Sequence, residues 1–143
     1  MIDFEQLKER KNKSPFFDVY NGIFVTKISE GYCEAEVELT EHSLNPAGLA
    51  HGGLIYTLCD IVSGVAATTL GKAVLTLSSS MDFLRPGVSG KMKAVGTCVK
   101  VGKTVGVYDA NVYDEQGRHI ARGSFHYYFT DTDISALFEG IEP

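Results

Sequence analysis

The chain has 143 residues, 44% of them hydrophobic, with 13 Lys and Arg against 18 Asp and Glu. That length suits one domain with room for a sizeable core. A formal net charge of −5 argues against a general nucleic-acid binder, because phosphate neutralisation needs clustered Lys and Arg. Local basic spots can still hold a small phosphorylated ligand. Cys33, Cys59 and Cys98 are odd in number and widely spaced, which fits reduced thiols in a cytoplasmic protein.

In chain order, residues 2 to about 11 read as a short amphipathic helix with Ile2, Phe4 and Leu7 on its apolar side. The N-terminus is charged and has no apolar run, so it does not read as a secretory signal. "SPFFDVY" is a second short helix or turn, with Pro15 at its start. The period then changes to two. "IFVTKIS" and "YCEAEVELT" flank Glu30-Gly31 and predict a hairpin, with Glu34, Glu36 and Glu38 on one face and Ala35, Val37 and Leu39 on the other. "EHSLNPAGLAHGG" is a loop. A long apolar helix runs from Leu54 to Leu70 and stops near Gly71. It is too short and too polar for a normal membrane span. Four β segments follow, at about 73–85, 91–101, 104–113 and 118–129, joined by short hairpin connections. Nothing divides the chain, so residues 1–143 form a single domain, with 1–20 a helical N-terminal segment and 131–143 a peripheral tail. An antiparallel sheet covering one helix is the economical way to bury that helix.

The apolar helix carries Asp60 in its middle. A buried carboxylate is costly unless paired or hydrogen-bonded. On a 3.6-residue period Gly53, Thr57, Asp60, Gly64 and Ala67 share one small, partly polar stripe, while Leu54, Leu58, Ile61 and Val65 share another that reads as the packing face. A structural network of hydroxyls around Asp60 would fit this pattern as well as a catalytic role. The helix start adds a second feature. Gly52 and Gly53 present backbone N–H groups without intrahelical partners, where an acyl oxygen could approach and the helix dipole favours negative charge. Eight residues separate Gly52 from Asp60, about 12 Å along one helix. One helix cannot easily deliver both to one carbonyl carbon. If both groups act on it, they come from different subunits, and the active site lies at a homodimer interface.

The ordered set Asn45, His51-Gly52-Gly53, Asp60, Phe83-Leu84-Arg85-Pro86 and Gly102-Lys103 resembles the hotdog-fold acyl-CoA thioesterases of the PaaI (phenylacetic acid degradation) type, over about residues 40–129. The resemblance implies an α+β hotdog fold, a curved antiparallel sheet wrapped around one long helix, with homodimers paired into tetramers. It implies that Asp60 is the base or nucleophile and that the Gly52 amide after His51 polarises the thioester carbonyl. Asn45 would position substrate or water, and Thr76, ten residues before Pro86, would assist. Coenzyme A contacts would come from Arg85, Pro86 and Gly87 and from Lys100, Gly102, Lys103 and Thr104, where cations meet the nucleotide phosphates. As residue types alone, Lys100 and Lys103 are ordinary turn lysines.

Other chemistries fit less well. "GKT" lacks the Gly five positions before Gly102 that a phosphate-binding loop requires, and it joins two strands. His42, His51, His119 and His126 have no metal-ligand spacing, and no further cofactor is implied because coenzyme A is part of the substrate. His51 reads as a loop-fixing residue. No G-x-S-x-G elbow is present. The expected activity is hydrolysis of an acyl- or aryl-CoA thioester, without membrane or nucleic-acid partners. The alternatives are a non-catalytic acyl-CoA binding module on the same fold and a dehydratase of that fold. Tyr56, Phe83 and Tyr108 are candidate pocket residues, with core packing the plainer role for each.

Overall fold

The computed structural model describes all residues, 1–143. The chain begins with α1 (Phe4–Lys13), capped by the Asp3 carboxylate, which accepts from the Glu5 and Gln6 amides. Arg10, Lys11 and Lys13 fill its last turn and complement the helix dipole. The short α2 (Phe17–Tyr20) follows. It starts two residues beyond Pro15, so the proline precedes the helix instead of opening it. Lys11 and Asp18 form a nearly buried ion pair that ties α1 to α2.

Six strands make one antiparallel sheet in the order β1-β2-β4-β5-β6-β3. They are β1 (Ile23–Ser29), β2 (Tyr32–Glu38), β3 (Lys72–Phe83), β4 (Lys91–Val101), β5 (Val105–Asp114) and β6 (His119–Asp133). The expected hairpin alternation holds in β2, where Cys33, Ala35 and Val37 are buried and Glu34, Glu36 and Glu38 face away. Between β2 and β3 runs the single long helix, α3 (Gly52–Thr68). Gly71, at φ +94°, turns the chain into β3 in a conformation that favours glycine.

The buried side of α3 is Ile55, Leu58, Cys59, Val62 and Ala66. Of the sequence stripe, Leu58 and Val65 are buried, and Leu54 and Ile61 pack partly buried against the core; the buried face extends beyond that stripe to Ile55, Cys59, Val62 and Ala66. The helix lies against Cys33 and Ala35 of β2, Met92 and Ala94 of β4, Tyr108 and Ala110 of β5, and Phe125 and Tyr127 of β6 in one core. The residues expected to be a peripheral tail divide. Residues 131–133 complete β6, and a 3-10 turn, Ile134–Phe138, packs on the core with Ile134 buried. All three cysteines are free, and Cys33 and Cys59 are buried. Burial pushes both thiols up to about 12.

One contact sets how deeply α3 sits. A Cβ on Gly96 of β4 would lie 2.4 Å from the Val62 carbonyl oxygen and 2.9 Å from the Ser63 nitrogen. Helix backbone thus rests directly on strand backbone. Gly96→Ala is expected to lift the helix and cost about 2–3 kcal/mol, the range for overpacking. That corresponds to a fall of roughly 5–10 °C in Tm for a chain of this size. An unchanged thermal melt would mean that the contact is not limiting.

Candidate functional site

Asp60 sits on the half-exposed side of α3, facing the sheet edge formed by β3 and β6. Thr76 of β3 and Tyr127 of β6 are direct cross-strand partners. The Thr76 hydroxyl donates to Asp60 Oδ1 at 3.0 Å, and the Tyr127 hydroxyl donates to the same oxygen at 2.8 Å. Tyr127 also reaches the Asp60 backbone carbonyl at 2.8 Å. One carboxylate oxygen is therefore held from two strands. Oδ2 accepts no hydrogen bond within the chain, which leaves it able to take a proton or attack a carbon. Burial, then the neighbouring Asp60 charge, holds the Tyr127 phenol well above its ordinary range, so it remains a donor.

Tyr127 was not legible as a site residue. In the sequence it is one aromatic among several in an alternating strand. Only the register of β6 against β3 places its hydroxyl on Asp60. A tyrosine facing a lone helical acid would have been the signal, had the pairing been known.

At the other end of α3 a second cluster forms. Asn45 closes the preceding loop. Its Oδ1 accepts from the Ala47 and Leu49 amides at 3.0 and 3.2 Å, leaving its NH₂ group free to donate. The Ala50 amide donates to the Gly87 carbonyl at 2.8 Å, which fastens this loop to the Arg85-Pro86-Gly87 segment. The His51 ring caps the helix: Nδ1 accepts from the Gly53 amide at 2.8 Å. That bond leaves the Gly52 amide as the unpartnered donor of the pair. A Cβ on Gly52 would meet the Phe83 ring at 3.7 Å, so the ring flanks this donor. Arg85 anchors one guanidinium nitrogen on the His119 carbonyl at 3.0 Å and keeps its other donors free.

The predicted site residues thus fall into two groups. Asn45, His51, Gly52, Arg85, Pro86 and Gly87 lie together at the start of α3. Asp60 and Thr76 lie further along it, roughly 23 Å of strand separating Thr76 from Phe83. Lys100, Gly102, Lys103 and Thr104 belong to the Asp60 side. Their turn joins β4 to β5, the Thr104 carbonyl accepts from the Phe129 amide, and Gly106 pairs with Tyr127. Lys100 and Lys103 form no ion pair within the chain. Two depressions follow the same division. One of about 230 Å³ borders Asp60 and Thr76, and one of about 740 Å³ borders His51, Gly53 and Thr57. Of the three candidate aromatics, Tyr108 is a core residue, while Tyr56 and Phe83 are partly exposed.

Residues 47–121 match the thioesterase superfamily. The chain belongs to that superfamily. As a member it is a thioester hydrolase. It is 32% identical over 108 residues to the acyl-coenzyme A thioesterase PaaI of Escherichia coli, covering 73% of this chain and 77% of that one. It is 30% identical over 100 residues to the proofreading thioesterase EntH of Klebsiella pneumoniae, covering 68% and 73%. Among solved structures, the E. coli PaaI protein superposes with a TM-score of 0.78 at 26% identity, covering 81% of this chain and 85% of that one. A Streptococcus mutans protein bound to acetyl CoA superposes with a TM-score of 0.78 at 31% identity, covering 85% and 99%. The six-stranded sheet around α3 is the hotdog fold of these thioesterases, as the sequence resemblance implied. The match takes in Asp60, Gly52 and Thr76 but stops short of Tyr127.

Removing the Tyr127 hydroxyl tests the hold on Asp60. Tyr127→Phe keeps the ring packing and deletes one hydrogen bond to a charged group, worth about 1.5–3 kcal/mol. The expected result is a fall in kcat of about tenfold or more with KM little changed. Wild-type kcat in a folded Tyr127→Phe protein would show that the hydrogen bond does not serve the reaction.

Proposed function

We propose that this protein is an acyl-CoA thioesterase that hydrolyses the thioester of an acyl- or aryl-CoA to the free acid and coenzyme A, at a site shared between two subunits. The observation that carries the reading is the Asp60 carboxylate, fixed through Oδ1 and free at Oδ2. A module that only binds acyl-CoA has no use for a carboxylate held in this way. The named PaaI relative and the acetyl-CoA-bound streptococcal structure support the substrate class.

The chemistry divides between the two clusters. The Gly52 amide, at the positive end of α3, receives the thioester carbonyl oxygen and the charge that develops on it. Asp60 Oδ2 either takes the proton of the attacking water or attacks the carbonyl carbon itself. The tetrahedral intermediate then collapses by breaking the C–S bond and expelling the coenzyme A thiolate, which takes up the released proton; on the nucleophilic route this leaves an Asp60–acyl anhydride that a water molecule hydrolyses to the free acid. Asn45 and Thr76 complete the setting, through the free NH₂ of one and the Asp60 contact of the other. Arg85, with Pro86 and Gly87, and Lys103, with Lys100, Gly102 and Thr104, would hold the coenzyme A portion.

Two features support a shared site. Gly52 and Asp60 are about 12 Å apart on one rigid helix, and the cation-bearing segments of one chain lie at opposite ends of the sheet. A twofold axis that sets the start of one α3 beside the middle of another unites both pairs at once. The β3 edge suits such pairing. It is 12 residues long, borders no strand on its outer side, and exposes Leu75 at 60% and Leu77 at 56%. Dimers would pair further into tetramers. No helix is long and apolar enough to cross a membrane. Three free thiols suit a reducing, cytoplasmic setting.

Incubation with a panel of acyl-CoAs and a thiol reagent tests the activity. Asp60→Asn is expected to fold, bind CoA esters and lose at least about a hundredfold in kcat, within the range for a general base. Tight binding without turnover by the wild type would favour the non-catalytic module instead.

The shared site has its own test. Asp60→Ala and Gly52→Val homodimers should each be nearly inactive, the second because the new side chain blocks the amide. After dissociation, mixing and reassembly, about half the dimers are mixed, and each holds one intact site. Activity should return to roughly a quarter of wild type if the sites act independently. No recovery, with mixed dimers confirmed by mass spectrometry, would assign each site to a single subunit.

A further inference from the structure

One hydroxyl of α3 has no use in the fold. Thr57 and Thr68 each return their hydroxyl to the helix backbone, at 2.7 Å to the Gly53 and Val65 carbonyls. Such back-bonding is the usual outlet for a hydroxyl in mid-helix. Ser63 is the exception. It is 0% exposed, and its Oγ has no hydrogen-bond partner, which is costly for a buried polar group. The reason lies one turn earlier. Thr68 bonds the carbonyl three residues before it, and the counterpart for Ser63 is the Asp60 carbonyl. That carbonyl already accepts from the Tyr127 hydroxyl at 2.8 Å. Tyr127 has taken the place where Ser63 would bond. The next residue shows how closely the ring lies against this turn: a Cβ on Gly64 would stand 3.6 Å from Tyr127 Oη.

We propose that Ser63 is a positioning residue, whose hydroxyl donates to Tyr127 Oη and thereby directs the Tyr127 proton onto Asp60. Its effect on turnover rests on the thioesterase reading; its contact with Tyr127 does not. Tyr127 Oη carries one proton and free lone pairs. It donates to the Asp60 carbonyl and to Asp60 Oδ1, both at 2.8 Å, and accepts from nothing within the chain. A donor without an acceptor therefore stands beside an acceptor without a donor, and a turn of the serine side chain pairs them. The electrostatics agree. Burial and then the Asp60 charge push the Tyr127 phenol up, and Ser63 is the neighbour that draws it down, as a donor to Oη does. The result is a chain from Ser63 through Tyr127 to Asp60 Oδ1. Each hydroxyl that accepts a hydrogen bond becomes a better donor of its own, so the outer link strengthens the inner one. Ser63 touches no substrate in this arrangement. It tightens the grip on one Asp60 oxygen and so steadies the other, which does the chemistry.

The test uses Ser63→Ala, Ser63→Cys, Tyr127→Phe and the double variant Ser63→Ala/Tyr127→Phe. Alanine is the best helix former and removes a hydroxyl that the resting fold leaves unpaired, so Ser63→Ala is expected to fold. Its kcat on a turned-over CoA ester should fall about three- to tenfold, the worth of one neutral hydrogen bond, with KM unchanged. In the Tyr127→Phe background the same substitution should alter kcat by less than about twofold, because the two residues act as one unit. Ser63→Cys keeps the side-chain volume but offers only a weak donor, so it should lose kcat as Ser63→Ala does. Wild-type kcat in Ser63→Ala or Ser63→Cys, or a full additional loss in the double variant, overturns the proposal. A readout without turnover accompanies these. The carbon-13 signal of Tyr127 Cζ, identified by its absence in Tyr127→Phe, should move in Ser63→Ala, and an unmoved signal also overturns the proposal. Should the wild type hydrolyse no CoA ester, the thioesterase reading falls by itself, and the Cζ signal alone then decides whether Ser63 bonds Tyr127.

Discussion

The seat of α3 on β4 governs everything built around it. A helix backbone can approach a strand backbone only where a residue without a side chain lies between them, and Gly96 provides that point under Val62 and Ser63. Once the helix is fixed there, its rise and pitch determine where each of its residues stands. Gly52 then falls beside Phe83 at one end of the sheet, and Asp60 beside Thr76 and Tyr127 further along. Reactive groups on a helix are placed with the rigidity of the helix, and one close backbone contact sets the position of all of them.

The polar design at Asp60 differs from that at Gly52. Around Asp60 the fold satisfies one oxygen and leaves the other unused. Around Gly52 it does the same with donors, using the His51 ring to occupy the Gly53 amide and leaving its neighbour unpaired. Each cluster uses some hydrogen-bonding capacity to hold a group still and leaves the remainder unpaired within the chain. Preorganisation of this kind lowers the reorganisation needed when charge develops during a reaction.

Much of this was readable from residue order alone, for identifiable reasons. The alternation in β2 and the Gly-punctuated hairpins are local signals, and they placed the strands within a few residues. The apolar run that became α3 is also local. Its buried face is wider than the one expected stripe, because two apolar stripes, one through Leu54 and one through Ile55, both meet the core on a helix with few polar residues. How deeply each is buried is decided by the sheet. The Asp60 and Gly52 features were visible as an acid and a glycine pair out of place in an apolar segment. Tyr127 was hidden because its part depends on strand register between residues 51 positions apart. The C-terminal turn was hidden too. The acids that flank it, Asp131, Asp133, Glu139 and Glu142, suggest solvent, yet Ile134 and Phe138 dock on the core.

The outer edge of β3 has a consequence for the life of a newly made chain. Its 12 residues present a full row of unpaired backbone donors and acceptors, with Leu75 and Leu77 beside them and no proline or bulky charge at the centre to deter pairing. Such an edge recruits any compatible strand, including the wrong ones. A lone subunit is therefore exposed to aggregation at the very surface that a correct partner would cover. In the proposed dimer, a shortage of partner copies would cost both turnover and solubility. Assembly of that proposed dimer would act as quality control, because the chain that has found its match would also be the one whose sticky edge is hidden.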